Sequence, residues 1–442
     1  MDHENDNGGD GNMKTVILAG GKGTRLGKIS DEIPKPMVPI GERSILEHQI
    51  LLLKRYGFTD ITIITGHLSH VIEDHFGDGS QFGVSIAYYR ETIPLGTTGG
   101  IKELEHEFQD DFLLLYGDVM VEMDLERLVM FHRERNGFAT LVLHPNDHPG
   151  DSDLVELDQE NRVIRFHAKP HEPGLYFHNM VNAALYVLSP RILELIPKGE
   201  KADFGKDIFP NAVSVGEIFG YPTPEYLKDV GTPERLEEVN RDHASGKIER
   251  MNRNRKRRAI FLDRDGVLLE KVAYLHKSED VRLYPSSGKA LALINETEFL
   301  AILVTNQPVI ARGMCTLEEL DDIHKKMEWL LGRAGAKLDG IYFCPHHPDS
   351  GYSGEIPEYK IACACRKPGI GMIMEASMEF NIDLGGSYII GDSFRDIECG
   401  RNAGLGTIGV RTGDGCKGHL SEPDHMATDV LEAVSWIIEH EK

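Results

Sequence analysis

The strongest constraint on the fold is an alternation of short apolar, β-branched runs with helical patterns, broken once and then resumed. Before the break, strand-like runs occupy residues 15–18, 61–65, 84–89, 112–116 and 139–143, and helical patterns occupy residues 45–56, 70–76 and 125–136. After it, strand-like runs recur at residues 259–262, 300–305, 341–343, 387–390 and 407–410. Such alternation is typical of mostly parallel sheets covered by helices. We therefore predict two α/β domains.

The break is a basic stretch at residues 246–258. Basic runs can bind nucleic acid or direct localisation, but a solvated linker is the simpler interpretation. At 442 residues the chain is also too long for one ordinary core. We predict a disordered tail at residues 1–13, a first domain at 14–245, a basic linker at 246–257 and a second domain at 258–442.

Composition excludes several classes of function. The formal net charge is -23, from 48 basic and 71 acidic residues, which argues against general nucleic-acid binding. No run approaches the roughly 20 apolar residues of a membrane helix, and the acidic, polar start does not resemble a signal peptide. We expect a cytoplasmic protein with small-molecule substrates and no nucleic-acid or membrane partner; the sequence leaves open a homo-oligomer.

The first predicted strand runs into Gly20-Gly21-Lys22-Gly23-Thr24-Arg25-Leu26. Glycines allow backbone N–H groups to approach an anion, and the two basic side chains add positive charge. The loop matches neither the Walker pattern nor the dinucleotide fingerprint. Shortly afterwards, Lys35 stands between two prolines, which restrict the local backbone and therefore the position of its ammonium group.

These two motifs together closely resemble the signature of the sugar-1-phosphate nucleotidyltransferases, and the resemblance extends over roughly residues 14–240. It implies Mg²⁺ held by Asp118 and Asp229, catalysis by Arg25 and Lys35, and sugar-phosphate binding by Lys169 and Asn182. The nucleotide-binding residues that it implies are Gly20, Gly21, Gly23, Thr24, Arg25, Gly96 and Thr97. The chain departs from the family at Ala168 and Ala184, where a glutamate and a glycine are commoner.

In the second half, Asp263-Arg264-Asp265 follows an apolar run. Carboxylates two residues apart on an extended chain project to the same side, although this pattern alone is common. Three further motifs follow in order, and they contain Thr305-Asn306, Arg366-Lys367 and Asp392, with Asp396 as a further acidic group beyond the fourth strand. The ordered set resembles the four motifs of the haloacid dehalogenase-like (HAD-like) phosphatases.

This second resemblance implies phosphoester hydrolysis through an aspartyl-phosphate on Asp263. Asp265 would handle the leaving-group proton, and its backbone carbonyl would help Asp263 and Asp392 to bind Mg²⁺. The phosphate-binding residues would be Thr305, Asn306, Arg366 and Lys367. The fold class that we predict is therefore two doubly wound, Rossmann-like domains, a nucleotidyltransferase fold followed by a HAD-like fold.

Between the second and third of these motifs lies a cluster of thiols and imidazoles, which includes Cys344, His346, Cys363 and Cys365. Three thiolates and one imidazole suit a closed, tetrahedral and therefore structural Zn²⁺ site. Redox chemistry at Cys363 and Cys365 is the lesser alternative, and His347 is a spare candidate ligand. Zinc loops of this kind resemble those of heptose-bisphosphate and histidinol-phosphate phosphatases.

The two resemblances together favour consecutive steps of nucleotide-activated heptose synthesis. Heptose 1,7-bisphosphate that loses its 7-phosphate becomes heptose 1-phosphate, which a nucleotidyltransferase can activate, here by resemblance with GTP. Two alternatives stay open. The transferase could act on another sugar 1-phosphate, such as mannose 1-phosphate, beside a histidinol-phosphate-type phosphatase, or the first domain could be an inactive nucleotide-binding regulatory module.

Overall fold

The computed structural model describes residues 13–21, 33–351, 353–417 and 422–441, which divide into two units. The first unit contains the described parts of Met1–His144, with Val155–Ala168 and Asn182–Asn252. The second contains Pro145–Leu154, Lys169–Val181 and the described parts of Arg253–Lys442. Two segments from the region predicted as the first domain therefore belong to the second unit.

Strands β1 to β13 precede the basic stretch; their bounds are Thr15–Ala19, Pro39–Ile40, Arg43–Ser44, Asp60–Thr65, Ser85–Arg90, Phe112–Tyr116, Val119–Glu122, Ala139–His144, Leu154–Leu157, Val163–His167, Val181–Leu188, Ile218–Pro222 and Tyr226–Asp229. Helices α1 to α7 are Ile45–Arg55, Ser69–Phe76, Gly99–Glu103, Leu125–Arg135, Phe209–Ala212, Pro233–Ala244 and Lys247–Arg250.

The main sheet of the first unit has nine strands, and its central path runs β10-β9-β11-β6-β1-β4-β5. Strands β6, β1, β4 and β5 are parallel, whereas β11 runs antiparallel to β6. The central strand β1 is apolar and buried, as expected of a strand covered on both faces. All five strands predicted in this half are present, and the loops at the carboxyl ends of β6, β1, β4 and β5 share one edge of the sheet, where α/β proteins bind ligands.

The second unit contains strands β14 to β19, which are Ala259–Leu262, Leu300–Asn306, Gly340–Cys344, Tyr388–Gly391, Gly406–Val410 and His425–Ala427. Its helices α8 to α13 are Ser287–Glu296, Pro308–Ala311, Leu317–Arg333, Gly371–Phe380, Phe394–Ala403 and Val430–His440. The six strands form a parallel sheet in the order β16-β15-β14-β17-β18-β19. The predicted parallel α/β architecture is confirmed, with β19 as an additional edge strand.

The order of this sheet determines which motifs meet. Strand β14 lies in the middle, between β15 and β17, and all three run in the same direction. Their carboxyl ends carry Asp263, Thr305 and Asp392 respectively. Residues that are far apart along the chain are therefore brought to one edge of the sheet.

Part of the basic stretch is structured. Helix α7 covers Lys247–Arg250, and Arg257 is only 2% exposed. The Arg257 guanidinium donates hydrogen bonds to the carbonyl of Phe380 at 3.1 and 2.9 Å and lies 5.9 Å from the centre of that ring. The interpretation as a solvated linker is therefore wrong at Arg257. In the part of the chain that the structure describes, no helix is long and apolar enough to cross a membrane.

Candidate active sites

In the first unit, the loop after β1 is described as far as Gly21; Gly23, Thr24 and Arg25 lie outside the described residues. Gly20 packs closely against neighbouring loops, since a Cβ there would lie 2.9 Å from Oε2 of Glu91. A Cβ on Gly66, after β4, would lie 2.8 Å from the Gly20 carbonyl oxygen. Burial raises the pKa of Glu91, which accepts a hydrogen bond from the Gly100 amide at 3.1 Å. Glu91 thus connects two glycine-containing loops.

Lys35, Asp118 and Asp229 are brought together from three parts of the chain. Lys35 begins a short 3-10 turn and is 7% exposed, and its ammonium group is paired with the Asp118 carboxylate. Strand β13 pairs antiparallel with β7, which places Asp229 opposite Val119. The amide of Val230 donates to the Asp118 carbonyl at 2.9 Å. A cation and two carboxylates therefore share this edge of the sheet.

Arg235, which the sequence analysis did not select, belongs to the same group. Its guanidinium is paired with the Asp229 carboxylate. It lies in the first turn of α6, and the preceding cap residue, Thr232, accepts a hydrogen bond from the Arg235 amide. The helix cap therefore fixes the backbone of the residue that holds Asp229.

The loop that contains Gly96 and Thr97 is fixed to residues 202–204. Gly96 has a φ of +82°, and a Cβ there would lie 2.0 Å from the carbonyl oxygen of Ala202. The Thr97 hydroxyl donates to Oδ2 of Asp203 at 3.1 Å and accepts from the Phe204 amide at 2.9 Å. Only glycine satisfies both the conformation and the contact at position 96.

Asn182 lies beside this region, whereas Lys169 is described with the second unit. Oδ1 of Asn182 accepts from the Ala184 amide at 3.1 Å. Ala184 has a φ of +55°, a left-handed backbone conformation that glycine adopts more readily than alanine. The Lys169 ammonium donates to the Asp151 carbonyl at 2.6 Å, within the segments that belong to the second unit.

In the second unit, Lys367 joins two of the acidic motifs. Its ammonium lies 2.9 Å from Oδ1 of Asp263 and 2.6 Å from Oδ1 of Asp396, and donates to the Val304 carbonyl at 2.8 Å. Although burial alone would lower the pKa of Lys367, the two carboxylates raise it above its usual value. The pKa of Asp263 is raised by burial and by Asp396 and Asp392, against the effect of Lys367.

Asp263, Asp392 and Asp396 form a cluster of carboxylates, with one oxygen of each within 4.8 Å of the others. Asp392 is 1% exposed and accepts from the Asp414 amide at 2.8 Å and from Lys271 at 2.9 Å. Asp396 is held by a capping box with Ser393, whose hydroxyl donates to it at 2.7 Å. Hard oxygen donors of this kind suit Mg²⁺.

Asp396 joins the two predicted carboxylates, Asp263 and Asp392, in this cluster. The Asp265 carboxylate is directed to Arg264 and Gln307, and the role of its backbone carbonyl in binding Mg²⁺ stays a prediction. Gly266, which follows Asp265, has a φ of +95°, and a Cβ there would lie 2.2 Å from Oδ2 of Asp392, so the glycine makes room for the acid.

Asn306 and Arg366 make backbone contacts around the same edge. The Asn306 amide group donates to the Lys367 carbonyl at 3.0 Å and accepts from the Lys367 amide at 2.9 Å. Both polar side-chain atoms of Asn306 are therefore engaged in holding Lys367, and phosphate binding by Asn306 stays a prediction. Arg366 donates to the His346 carbonyl at 3.2 Å. Thr305 is 1% exposed at the end of β15.

The four predicted zinc ligands come together. The sulfur of Cys365 lies 3.0 Å from that of Cys344 and 3.2 Å from that of Cys363, and 3.3 Å from Nδ1 of His346. All three cysteines are free thiols. Such separations are close to those between ligands of one tetrahedral metal ion, given a Zn–S distance of about 2.3 Å. The cluster could hold a metal ion, and its donor set fits zinc.

The folds and sites thus define a class of enzyme that handles phosphorylated small molecules through two α/β units. Comparison with known proteins specifies it further. Residues 14–246 match the nucleotidyl transferase family model, and residues 364–436 match the HAD-hydrolase-like model. The chain belongs to the nucleotidyl transferase family through its N-terminal part and to the HAD-like heptose-bisphosphate phosphatases through its C-terminal part.

Curated relatives match each half separately. A UTP–glucose-1-phosphate uridylyltransferase from Synechocystis is 36% identical over 47% of the chain and 57% of that protein. A mannose-1-phosphate guanylyltransferase from Mycobacterium tuberculosis is 34% identical over 50% of the chain and 62% of that protein. The chain therefore covers less than two thirds of these transferases.

The chain covers a larger share of its phosphatase relative than of the two transferases. A D-glycero-beta-D-manno-heptose-1,7-bisphosphate 7-phosphatase from Yersinia pestis is 43% identical over 35% of the chain and 81% of that protein. A crystal structure of D,D-heptose 1,7-bisphosphate phosphatase from B. bronchiseptica, complexed with magnesium and phosphate, is 32% identical over 41% of the chain and 99% of that protein, with a TM-score of 0.37.

Proposed function

We propose that the chain catalyses two consecutive steps in the synthesis of a nucleotide-activated heptose. The second unit removes the 7-phosphate of D-glycero-D-manno-heptose 1,7-bisphosphate, and the first transfers GMP from GTP to the resulting heptose 1-phosphate, with release of pyrophosphate. The observation that carries this proposal is the presence of both families in one chain. The product of the first reaction belongs to the substrate class of the second.

In the phosphatase reaction, the Asp263 carboxylate attacks phosphorus and the bond to the sugar oxygen breaks. Asp265 gives its proton to that oxygen, and then takes a proton from the water that hydrolyses the aspartyl-phosphate, which regenerates both residues and releases orthophosphate. Lys367 lies 2.9 Å from Asp263 and is positioned to neutralise the phosphoryl oxygens. The Thr305 hydroxyl donates a hydrogen bond to the same phosphoryl group.

The proposal for the second unit includes two metal ions. Asp263, Asp392 and Asp396 would hold Mg²⁺, which neutralises charge on the phosphoryl group when bound. Cys344, His346, Cys363 and Cys365 would hold Zn²⁺ in a structural role, since all four positions of a tetrahedral ion are taken by protein atoms. The role of Asn306 is to position the backbone of Lys367.

In the transferase reaction, the sugar-phosphate oxygen attacks the α-phosphorus of the nucleoside triphosphate, and pyrophosphate leaves. Asp118 and Asp229 would hold Mg²⁺ at this edge of the sheet. Lys35, which pairs with Asp118, is positioned to neutralise charge on the reacting phosphates. The roles of Arg25, Lys169 and Asn182 in binding triphosphate and sugar phosphate stay as predicted from the resemblance.

A second candidate substrate, mannose 1-phosphate, is favoured by the relative from M. tuberculosis, which is a mannose-1-phosphate guanylyltransferase. Because another relative is a uridylyltransferase, the base of the nucleoside triphosphate also has to be measured directly. Competition between hexose and heptose 1-phosphates, with all four nucleoside triphosphates present, distinguishes these possibilities.

The decisive experiment incubates the protein with heptose 1,7-bisphosphate, Mg²⁺ and the four triphosphates, and follows the products by mass spectrometry. We expect orthophosphate, pyrophosphate and GDP-heptose. Asp263→Asn should prevent all three products from the bisphosphate but leave the transferase active on heptose 1-phosphate, whereas Lys35→Met should give orthophosphate alone. Orthophosphate without a nucleotide-sugar from the unmodified protein would refute the heptose-1-phosphate guanylyltransferase assignment and favour a nucleotide-binding module or a transferase for another sugar 1-phosphate.

A further inference from the structure

We infer that Arg264 and Gln307, two buried residues outside the predicted sites, are the positioning residues of the phosphatase. They hold the carboxylate of Asp265 and the hydroxyl of Thr305 in the geometry that leaving-group protonation and phosphate binding require. This inference deepens the proposed phosphatase function and rests on it.

Arg264 grips Asp265 with two nitrogens. The Arg264 side chain is completely buried, although it lies between two acidic residues at the end of β14. Its Nε donates to Oδ1 of Asp265 at 3.2 Å, and its Nη2 donates to Oδ2 at 2.9 Å. A planar, forked contact fixes both the position and the plane of a carboxylate, which a lysine cannot do.

Gln307 links Arg264 to both functional groups. It is 2% exposed, and its Oε1 accepts from Nη2 of Arg264 at 2.8 Å. Because a guanidinium can only donate, this contact fixes the orientation of the amide. Nε2 then donates to Oδ2 of Asp265 at 3.0 Å and to Oγ1 of Thr305 at 2.9 Å. Since the Thr305 oxygen accepts from Gln307, its own proton is available for a phosphoryl oxygen.

Helix α10 supplies a further contact to the Arg264 guanidinium, through His324. His324 is 3% exposed, and its Nε2 lies 3.3 Å from Nη1 of Arg264. Burial and the charge of Arg264 hold the pKa of His324 well below its usual range. The imidazole is therefore neutral and can accept from Arg264. His324 thus holds the third nitrogen of the guanidinium, whose other two nitrogens donate to Asp265.

Leaving-group dependence distinguishes positioning of the acid from a general structural role. When the bond between phosphorus and a sugar oxygen breaks, that oxygen needs a proton from Asp265. When the leaving group is p-nitrophenolate, which is stable as an anion, no proton is needed. Misplacing Asp265 should therefore slow hydrolysis of sugar phosphates far more than hydrolysis of p-nitrophenyl phosphate.

The test compares Arg264→Met, Gln307→Leu and Asp265→Asn on heptose 1,7-bisphosphate and p-nitrophenyl phosphate. For Arg264→Met we expect kcat/KM on the sugar phosphate to fall by about 10²–10³-fold, within the range of general acid–base catalysis, and on p-nitrophenyl phosphate by less than about tenfold. Asp265→Asn should show the same pattern. Gln307→Leu should lose activity on both substrates, with the larger loss on the sugar phosphate, because it also releases Thr305.

Arg257→Met is the matched control, because Arg257 is a buried arginine of the same unit whose guanidinium donates to the Phe380 carbonyl, outside the phosphatase site. The Arg257→Met substitution should change kcat/KM for both substrates by the same factor. Equal losses on the two substrates in folded Arg264→Met would overturn the inference. If Arg264→Met does not fold, the two substrates are compared with Gln307→Leu instead. Equal losses of kcat/KM on both substrates in that variant would also overturn the inference.

Failure of the proposed substrate gives a different result. If the unmodified protein hydrolyses p-nitrophenyl phosphate but not the bisphosphate, the heptose assignment is wrong. The comparison then uses glycerol phosphate, whose alcohol also needs a proton on leaving. A larger fall of kcat/KM on glycerol phosphate than on p-nitrophenyl phosphate in Arg264→Met would support the positioning role. An equal fall on the two substrates would refute it.

Discussion

His178 should stabilise the second unit in a way that disappears at high pH. It lies in Lys169–Val181, which belongs to this unit, and contacts helix α10. Its Nδ1 is 2.6 Å from a carboxylate oxygen of Glu328, and its Nε2 is 2.7 Å from one of Asp321. Because carboxylates only accept hydrogen bonds, both ring nitrogens must donate, and the imidazole is charged. Burial alone would lower the pKa of His178, but the two carboxylates raise it to about 10.

The size and sign of the effect follow from this shift. A rise from the usual 6.5 to about 10 corresponds to an upper bound of about 4–5 kcal/mol, at 1.36 kcal/mol per unit. The imidazole is 33% exposed, so solvent screening reduces the expected contribution to about 2 kcal/mol. A group whose pKa is higher in the folded state contributes fully below its unfolded pKa. The contribution of His178 is therefore complete below pH 6.5 and is lost as the pH rises through about 10.

The assay is urea unfolding of the protein and of His178→Gln at several pH values between 6 and 10.5. Trp329 and Trp436, the two tryptophans of the chain, both lie in the second unit, so their fluorescence reports on that unit. The difference in unfolding free energy should be about 2 kcal/mol at pH 6 and close to zero at pH 10.5. His276→Gln, at a histidine whose hydrogen bond to the Tyr274 carbonyl is exposed, should show no such pH dependence. A difference that stays constant, or grows with pH, would refute this account of His178.

Three further outcomes are expected. Lys367→Met should abolish phosphate hydrolysis and lower the unfolding free energy by about 3–5 kcal/mol, measured by urea unfolding, because it leaves buried carboxylates without their cation. Gly96→Ala should weaken GTP binding in calorimetry, because its Cβ would lie 2.0 Å from the Ala202 carbonyl oxygen. Gly199→Ala, with a similar positive φ of +74° and no atom within 4 Å of its Cβ, should leave binding unchanged. Cys365→Ser, or removal of zinc with a chelator that is then exchanged for Mg²⁺ buffer, should lower the unfolding midpoint of the second unit by tryptophan fluorescence and spare the transferase.

Much of the fold could be predicted because its main strands are local, strongly apolar runs. Strand β1 is an uninterrupted apolar run after Thr15, and it lies in the centre of a sheet, where both faces are buried. The edge strand β19, His425–Ala427, has no such signal, because its pairing with β18 depends on a partner and not on its own side chains. The edge strand β19 and the short strands of the first unit were therefore missed, whereas the edge strands β5 and β16 were predicted.

The candidate sites could be predicted as sets of residues but not as sets of contacts. The order of motifs indicated that Asp263, Lys367 and Asp392 would meet, and parallel strands bring them to one edge. The sequence indicated Asp396 as an acidic group beyond the fourth strand, but its place in the carboxylate cluster depends on the capping box at the start of α12, which spacing does not show. Nor could it show that Asn306 would bond to a backbone 61 residues away.

The membership of Pro145–Leu154 and Lys169–Val181 in the second unit bears on how such a fused chain can be divided. The phosphatase relative from Y. pestis matches only the C-terminal part of the chain, which suggests an obvious cut near residue 250. A fragment beginning at Arg253 would lack His178 and would leave Asp321 and Glu328 without their imidazolium. We therefore expect a fragment designed from the family boundaries to be less stable than the same unit in the full chain, unless the carboxylates on α10 are also changed.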